Sequence, residues 1–386
     1  MKQGWEIKKL VDVCIVERGS SPRPIEKYFT DSDDGVNWIK IGDTKGVDKY
    51  IYTTRQKITK EGAKQSRLVK EGDFILSNSM SFGNPFIMKT SGYIHDGWFA
   101  LRLPNNIDTD YFYHLLTSPN VQEQFKILAS GSVVKNISGE LVKKVDLPIP
   151  PLSEQQRIVA ILDEAFAAIA KAKANAQQNL QNAKELFESH LQGVFENGNW
   201  EEKTLNEISE NLDSKRVPIT KNVRSEGSVP YYGASGIVDY VNDYLFNEDL
   251  LCVSEDGANL LARTYPIAFS IAGKTWVNNH VHVLRFKNMD SQKFVELYLN
   301  SIKLDNFVSG MAQPKLNQTM LNKISIPFPS LKTQQTIVQK LDALNAETKK
   351  LETIYQQKLN DLEELKKSVL QKAFAGELKT DKVVAV

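Results

Sequence analysis

The stretch Pro148–Asp163, P-I-P-P-L-S-E-Q-Q-R-I-V-A-I-L-D, returns 179 residues later at Pro327–Asp342 as P-F-P-S-L-K-T-Q-Q-T-I-V-Q-K-L-D. Pro148/Pro327, Pro150/Pro329, Leu152/Leu331, Gln155/Gln334, Gln156/Gln335, Ile158/Ile337, Val159/Val338, Leu162/Leu341 and Asp163/Asp342 are identical. The same gapless offset pairs Gly131 with Gly310, Lys144 with Lys323, Lys171 with Lys350, Leu186 with Leu365, Ser189 with Ser368, Leu191-Gln192 with Leu370-Gln371 and Phe195 with Phe374. A repeat of this length means one structural unit used twice. Upstream the likeness thins to anchors such as Trp5-Glu6/Trp200-Glu201, Leu10/Leu205, Gly42/Gly233, Asp73/Asp249 and Leu101-Arg102/Leu284-Arg285.

The chain therefore divides into two variable domains, 1–150 and 197–329, each followed by a near-constant segment, 151–196 and 330–378, with a tail at 379–386. Before each constant segment a period-two run, Val145/Leu147/Ile149 or Ile324/Ile326/Phe328, predicts a half-buried strand ended by its prolines. A helix follows, and Ser153 with Gln156 could cap it as a box; Lys332 stands where the second copy would need the serine. Apolar residues then recur in steps of three and four, from Ile158 and Leu162 through Ile169, Ala176, Ala183 and Leu191, and from Ile337 and Leu341 through Leu344, Tyr355, Leu362 and Ala373. Thr348 interrupts the second stripe, and Gly376 is placed to end it. Helices of roughly 42 residues, about 63 Å long, exceed the core of a small domain. They are expected to bury their stripes on each other as an antiparallel coiled coil, with the two domains at opposite ends about a pseudo-two-fold axis.

The variable domains read as mixed α/β (α+β). Short strands are predicted at Val36–Ile41, Asp73–Leu76, Val229–Tyr232, Leu250–Val253 and Val281–Phe286, with helices near Tyr111–Leu116 and Phe294–Leu299. At 386 residues, 41% hydrophobic and 25% charged, the composition is that of a soluble protein, and without a signal peptide or an apolar run of membrane-spanning length a cytoplasmic location is expected. Cys14 and Cys252 suit neither a disulfide framework nor a metal cluster, and are expected as buried small apolar residues.

Catalytic motifs are incomplete. Gly273-Lys274-Thr275 ends like a phosphate-binding loop, but Ala268 stands where the first glycine belongs; Asp163-Glu164-Ala165 lies on the helix stripe; Asn84-Pro85-Phe86 lacks a second proline and a cofactor loop. No catalytic residue, metal or cofactor is expected. Trp276, Asn278, His280 and His282 alternate as if on one strand face, which could ligate a metal, serve structurally or form a polar reading surface.

The net charge of +1 hides a basic segment: Lys40–Lys70 holds nine Lys or Arg against three acids. Lys45, Lys57 and Lys64 in it are candidate phosphate contacts. Other loops mix basic with small polar residues: Arg18, Ser20, Ser21 and Arg23; Asn78, Ser79 and Asn84; Lys215, Arg216, Lys221 and Arg224; Tyr231 and Ser235; Glu255, Asp256, Asn259 and Arg263; Lys274, Asn278, Asn279, His280 and His282. Nucleic-acid recognition needs both classes, because Lys and Arg hold phosphates without regard to sequence while amides, carboxylates and Arg discriminate base edges.

The repeated P-x-P-x-L-x-x-Q-Q-x-I-V-x-x-L-D, the W-x-x-x-x-L starts at Trp5 and Trp200, the entries at Gly131 and Gly310 and the closing L-Q-K-A-F-A-G-E-L at 370–378 resemble the specificity subunits of type I restriction-modification enzymes over essentially the whole chain. Lys332 and Thr348 are its departures from the repeated pattern. The resemblance implies two target-recognition domains, each reading half of a bipartite site in double-stranded DNA, and helices that set the gap. Gln155, Gln156, Ile158, Leu162, Gln334, Gln335, Ile337 and Leu341 would belong to the spacer and docking segment for methyltransferase subunits, two in number, with restriction-translocase subunits as further partners and no membrane contact. An expectation of a different class is a coiled-coil adaptor whose two heads bind proteins.

Overall fold

The computed structural model describes residues 3–78, 83–129, 138–310 and 313–378. Ser79, Gly131 and the tail 379–386 lie outside the described residues. The chain forms two compact units, Met1–Asn175 with Lys358–Val386, and Ala176–Gln357. Among the described residues no helix is long and apolar enough to cross a membrane.

In the first unit Glu6–Lys9 pairs antiparallel with Asp146–Ile149, so the period-two run closes the globular part onto its own beginning. Between them lie two five-stranded sheets. One runs Ile15–Arg18, Trp98–Arg102, Phe74–Ser77, Pro85–Met88, Tyr50–Ile51; the other runs Phe29–Thr30, Gln56–Ile58, Val36–Ile39, Gly92–Ile94, Arg67–Val69. The first sheet is buried on both faces, and its side chains alternate between two cores. Phe74, Leu76, Ile87, Phe99 and Leu101 face a helical core with Tyr111, Phe112 and Phe125. Ile75, Phe86, Met88, Trp98 and Ala100 face the second sheet. The strands Phe74–Ser77 and Trp98–Arg102 therefore read as continuous apolar runs.

The second unit repeats this plan. Glu202–Thr204 pairs with Ser325–Pro327. One sheet runs Ser209–Asn211, Val281–Phe286, Leu250–Ser254, Ala268–Ile271, and the other Gly236–Val241, Val229–Gly233, Lys274–Val277, Phe246–Asn247. Leu251, Val253 and Leu284 face the helical core, and Leu250, Cys252, Val281 and Val283 the other. Cys14 and Cys252 are both free and buried. The anchor arginines have one job in both units: Arg102 binds Glu17 and Asp73, and Arg285 binds Glu210 at 2.8 Å and Glu248 at 2.6 Å, each clamping three neighbouring strands at their ends.

The long helices are Leu152–Glu196 and Leu331–Ala375, 45 residues each. In the first, Gln155, Leu162, Ile169, Ala176 and Ala183 are buried at steps of seven; in the second Gln334, Leu341, Thr348 and Leu362 are buried and Tyr355 half-buried in the same phase. A strict heptad is the signature of a coiled coil. Thr348 fits because its hydroxyl donates to the carbonyls of Leu344 and Asn345 within its own helix, at 3.0 and 3.1 Å. In the first unit Ile158 and Leu162 share a core with Leu370, Ala373 and Phe374, and Lys173 pairs with Glu363. In the second, Leu191 and Phe195 share a core with Val338 and Leu341. Rising numbers on one helix meet falling numbers on the other, so the pairing is antiparallel. The repeated phenylalanines close each unit: Phe374 meets Tyr111 at 5.4 Å between ring centroids, and Phe195 meets Phe294 at 5.3 Å. Gly376, at φ +77°, ends the second helix; its N–H donates to the Ala373 carbonyl and that of Glu377 to Lys372, a Schellman closure.

The capping box expected at Ser153 and Gln156 does not form. The helix starts earlier, at Leu152, so Ser153 lies inside it and Gln156 is exposed. The Pro151 carbonyl receives the first turn, from the N–H groups of Glu154 and Gln155 at 2.9 and 3.0 Å. In the second copy Ser330 precedes the helix and its hydroxyl oxygen accepts from the Thr333 N–H at 3.4 Å, so the lysine at 332 displaces no cap.

The buried amide is Gln155, 1% exposed, which accepts from the Asp108 N–H at 2.8 Å and donates to the Pro150 carbonyl at 2.9 Å. Gln334, also 1% exposed, accepts from the Ser291 hydroxyl at 2.7 Å and donates to the Pro329 carbonyl at 2.7 Å. Gln155→Ala should therefore destabilise the protein by about 1–3 kcal/mol in urea unfolding, because it strands two buried backbone groups. Its neighbour Gln156→Ala should stay within about 0.5 kcal/mol of wild type. Equal costs at the two positions would refute the assignment.

Candidate nucleic-acid interface

The loop after Ile15–Arg18 in the first unit is drawn against the turn His95-Asp96-Gly97. Gly19 donates its N–H to the Trp98 carbonyl at 2.8 Å and passes so close that a Cβ would sit 2.0 Å from the His95 oxygen. Only glycine fits there. The Ser21 hydroxyl donates to Asp96 Oδ1 at 3.1 Å, Arg23 approaches Oδ2 at 3.4 Å, and Arg18 Nε and Asn78 Nδ2 donate to the Asp96 carbonyl at 3.3 and 2.7 Å. Ser20 fastens the loop to the Gln65 carbonyl at 2.8 Å. Burial pulls the Asp96 carboxyl up, but the Ser21 hydroxyl, a backbone N–H, His95 and Arg23 outweigh it and hold it below the usual carboxylate range.

The structure thus gathers Arg18, Ser21, Arg23 and Asn78 on one residue that the sequence does not single out, Asp96: Ser21 and Arg23 at its carboxylate, Arg18 and Asn78 at its main-chain carbonyl, with Ser20 fastening the loop beside them. Asn84 is exposed at the head of the adjoining strand, where its N–H reaches the Ser77 hydroxyl oxygen at 3.3 Å. Lys45 and Lys64 are exposed on other segments, and Lys57 sits on its strand opposite Asn37 and Thr30.

In the second unit the equivalent loops meet in a charged interior. His282, 1% exposed, has Nδ1 at 2.6 Å from Asp213 and Nε2 at 2.7 Å from the Leu316 carbonyl. Arg216 donates to Glu255 at 2.7 Å and to the Val281 carbonyl at 2.6 Å, and Lys315 reaches Glu255 at 3.1 Å. Asp213, Glu255 and His282 have the donor types and closeness of a metal site. Arg216 and Lys315 already compensate both carboxylates, which leaves a bound cation no charge to neutralise. For Asp213 burial raises the pKa, but His282, the Val283 N–H and Arg216 bring the net shift downward. Glu255 behaves alike: burial raises it, and Arg216, His282 and Lys315 prevail.

Several other candidates are held internally. Asn259 is buried, its amide oxygen accepting from the Thr264 and Tyr265 N–H groups. Arg263, at φ +52°, spends its guanidinium on the Leu299 and Ile302 carbonyls. Arg224 stacks 4.3 Å from the centroid of the buried Tyr231 ring and pairs with Asp239 at 2.8 Å. Lys215, Lys221, Ser235, Lys274, Asn279 and His280 are exposed. The single face expected for Trp276, Asn278, His280 and His282 is broken. A strand ends at Val277, a turn covers 278–280, and Val281 begins a strand of the other sheet, so Asn278 and His282 are buried while His280 is exposed.

The two arrangements share a frame. Trp38 lies opposite Tyr93 in a parallel pair and Tyr231 opposite Trp276, which makes the turns 95–97 and 278–280 equivalent. Behind them the Asn78 N–H donates to the Gly97 carbonyl at 3.0 Å and the Glu255 N–H to the His280 carbonyl at 2.9 Å. The frame is a pair of sheets with converging loops, built twice on antiparallel helices.

That architecture defines a duplicated protein, one plan built in each of two units. The family model for the type I restriction modification DNA specificity domain matches residues 2–180 and 197–364, and the chain belongs to this family. It is 23% identical to the MjaIX specificity subunit of Methanocaldococcus jannaschii, covering 98% of this chain and 94% of that one. The EcoKI specificity subunit of Escherichia coli is also 23% identical, with 98% and 90% covered. A 158-residue stretch is 37% identical to a protein named as a type I restriction enzyme specificity subunit of Haemophilus influenzae, spanning 41% of this chain and 40% of that protein. Among solved structures, the HsdS subunit of Thermoanaerobacter tengcongensis has the same fold at a TM-score of 0.64, with 18% identity and 98% of each chain covered. A chain from a structure of type I restriction-modification complex assembly reaches 0.79, at 18% identity with 98% and 99% covered.

The lowered carboxyls of Asp213 and Glu255 fix a sign. Unfolded, such groups titrate near pH 4, so their stabilisation is complete above that value and is lost as pH falls through the lower folded values. Arg216→Met removes one cause of the lowering. Denaturant stability of the variant should start lower at pH 7 and fall less between about pH 5 and 3 than that of the wild type. Parallel curves would show that the guanidinium does not hold these acids ionised.

Proposed function

We infer that the chain is the DNA sequence-specificity subunit of a type I restriction-modification system. In this reading residues 1–150 and 197–329 are the target-recognition domains, 151–196 and 330–378 the spacer helices, and 379–386 a tail. Each domain reads one half of a bipartite site in double-stranded DNA. The observation that carries this is the shared backbone frame with unshared loop chemistry: Asp96 among arginines in one unit, Arg216 among acids in the other. Two copies of one scaffold holding different polar groups suit two different half-sites.

The subunit carries no catalysis of its own; methyl transfer and cleavage belong to partner methyltransferase and restriction subunits. Gln156 is exposed at the start of its spacer helix and available to such partners, whereas Gln335 is half-buried with its amide donating to Asp290 at 2.7 Å. Gln155, Ile158, Leu162, Gln334 and Leu341 are buried in the joint and Ile337 partly so. The cytoplasm, where the target DNA lies, is the proposed location. A protein-binding adaptor, the alternative, finds no support in the family to which the chain belongs.

Phosphate and base contacts separate by their salt and sequence dependence. The Arg23 side chain is 83% exposed and holds Asp96 only loosely. Arg23→Ala, assembled with its methyltransferase subunits, should weaken binding to every duplex alike and flatten the slope of log affinity against log salt by about 1. Filter binding between low and moderate salt measures both. Absence of a split methylation motif in the wild-type complex would overturn the assignment.

A further inference from the structure

Each unit crosses from one sheet to the other through a three-residue turn whose backbone is fixed in the same way and whose side chains are not shared. His95-Asp96-Gly97 links Gly92–Ile94 to Trp98–Arg102, and Asn278-Asn279-His280 links Lys274–Val277 to Val281–Phe286. A rigid backbone presenting variable polar groups is what a discriminating element requires.

In the first turn the Asp96 side chain is 45% exposed. Ser21 steadies one oxygen and Arg23 lies near the other, yet a carboxylate has about four acceptor positions, so acceptor capacity remains. In the second turn the Asn278 amide oxygen accepts from the His280 N–H at 2.8 Å, which closes the backbone. The His280 ring, 51% exposed, has Nδ1 at 2.7 Å from Asp256 Oδ2. An ionised carboxylate can only accept, so Nδ1 keeps its hydrogen and donates to Asp256, and in that neutral tautomer Nε2 carries the lone pair. Nε2 has no partner among the described residues. Each turn therefore ends in one oriented acceptor. Two further cations are fastened beside the first turn by main-chain bonds: Arg18 donates to the Asp96 carbonyl at 3.3 Å, and Arg67 to the Arg18 carbonyl at 3.4 Å.

We propose that these two turns are the base-reading elements, Asp96 setting one position of one half-site and His280 one position of the other, each by accepting from the exocyclic amino group of adenine or cytosine in the major groove. Asp256 is a positioning residue for the His280 ring. The proposal rests on the reading of the chain as a split-site specificity subunit.

The test uses the complex of full-length chain and methyltransferase subunits, with the motif read by sequencing methylated DNA from a randomised library. Asp96→Asn, which keeps the side chain's shape and adds a donor, should relax discrimination at a single position by about 10- to 100-fold. His280→Ala should do the same at a single position of the other half. The untouched half in each case reports folding and assembly. Should His280→Ala lower the yield, the motif is still read from what is methylated, and Asp256→Asn should relax the same position while keeping the imidazole. A split motif that none of the variants alters, or one in which a single variant alters both halves, overturns the proposal alone. A wild-type complex with no split motif overturns the functional reading along with it.

Discussion

The buried amide at the start of each long helix is the constraint on which the rest depends. Prolines at 148, 150 and 151, and again at 327 and 329, leave carbonyls at the joint but offer no N–H to pair with them. Gln155 and Gln334 answer this with one side chain that donates to a proline carbonyl, Pro150 or Pro329, and accepts from the start of a helix in the globular part, at Asp108 or Ser291. An amide is suited to this because it carries both a donor and an acceptor. Buried groups left unpaired at such a joint would cost more than the bonds gain, so the direction in which the helix leaves is fixed.

From that joint the geometry propagates into the sheets. The strand ending at the prolines clamps the beginning of the same globular part, and the core above it is completed by the far end of the other helix through Phe374 or Phe195. Neither core is whole without residues distant in sequence. The repeated leucine, glutamine and phenylalanine near the end of each helix, Leu191, Gln192 and Phe195 against Leu370, Gln371 and Phe374, mix two roles: the apolar residues fill a core and the glutamines face solvent.

The repeat, the long helices and their antiparallel pairing were legible because period and identity are local properties of a sequence. The anchors Leu101-Arg102 and Leu284-Arg285 were visible as identities, and only the structure gives them a reason, in the acids they bind across strands. The site was less legible. Arg216, Glu255, Asn259 and His282 look like surface chemistry on paper, because partners 39 residues apart, as Arg216 and Glu255 are, cannot be paired by eye. Asp96 was passed over for the opposite reason: H-D-G reads as an ordinary turn, and its importance lies in what Arg18, Ser21, Arg23 and Asn78 do to it. Alternation across 276–282 misled because a turn and a change of sheet interrupt it.

The two loop clusters, one half-exposed and one buried, differ in sign yet obey one rule. Asp96 is surrounded by arginine and amide groups, whereas Arg216 and Lys315 sit among Asp213, Glu255 and His282. In either case the carboxylates have cationic partners within their own unit, and for the buried set an isolated charge would be far more costly than the pair. The backbone bonds behind the turns, Asn78 to Gly97 and Glu255 to His280, do not depend on which side chains stand in front of them. A locally balanced set of loops can therefore be exchanged for another balanced set without disturbing the sheets. This separates stability, carried by the two cores and the glutamine joint, from the polar groups each unit presents, and it explains how one scaffold tolerates two unlike surfaces within a single chain.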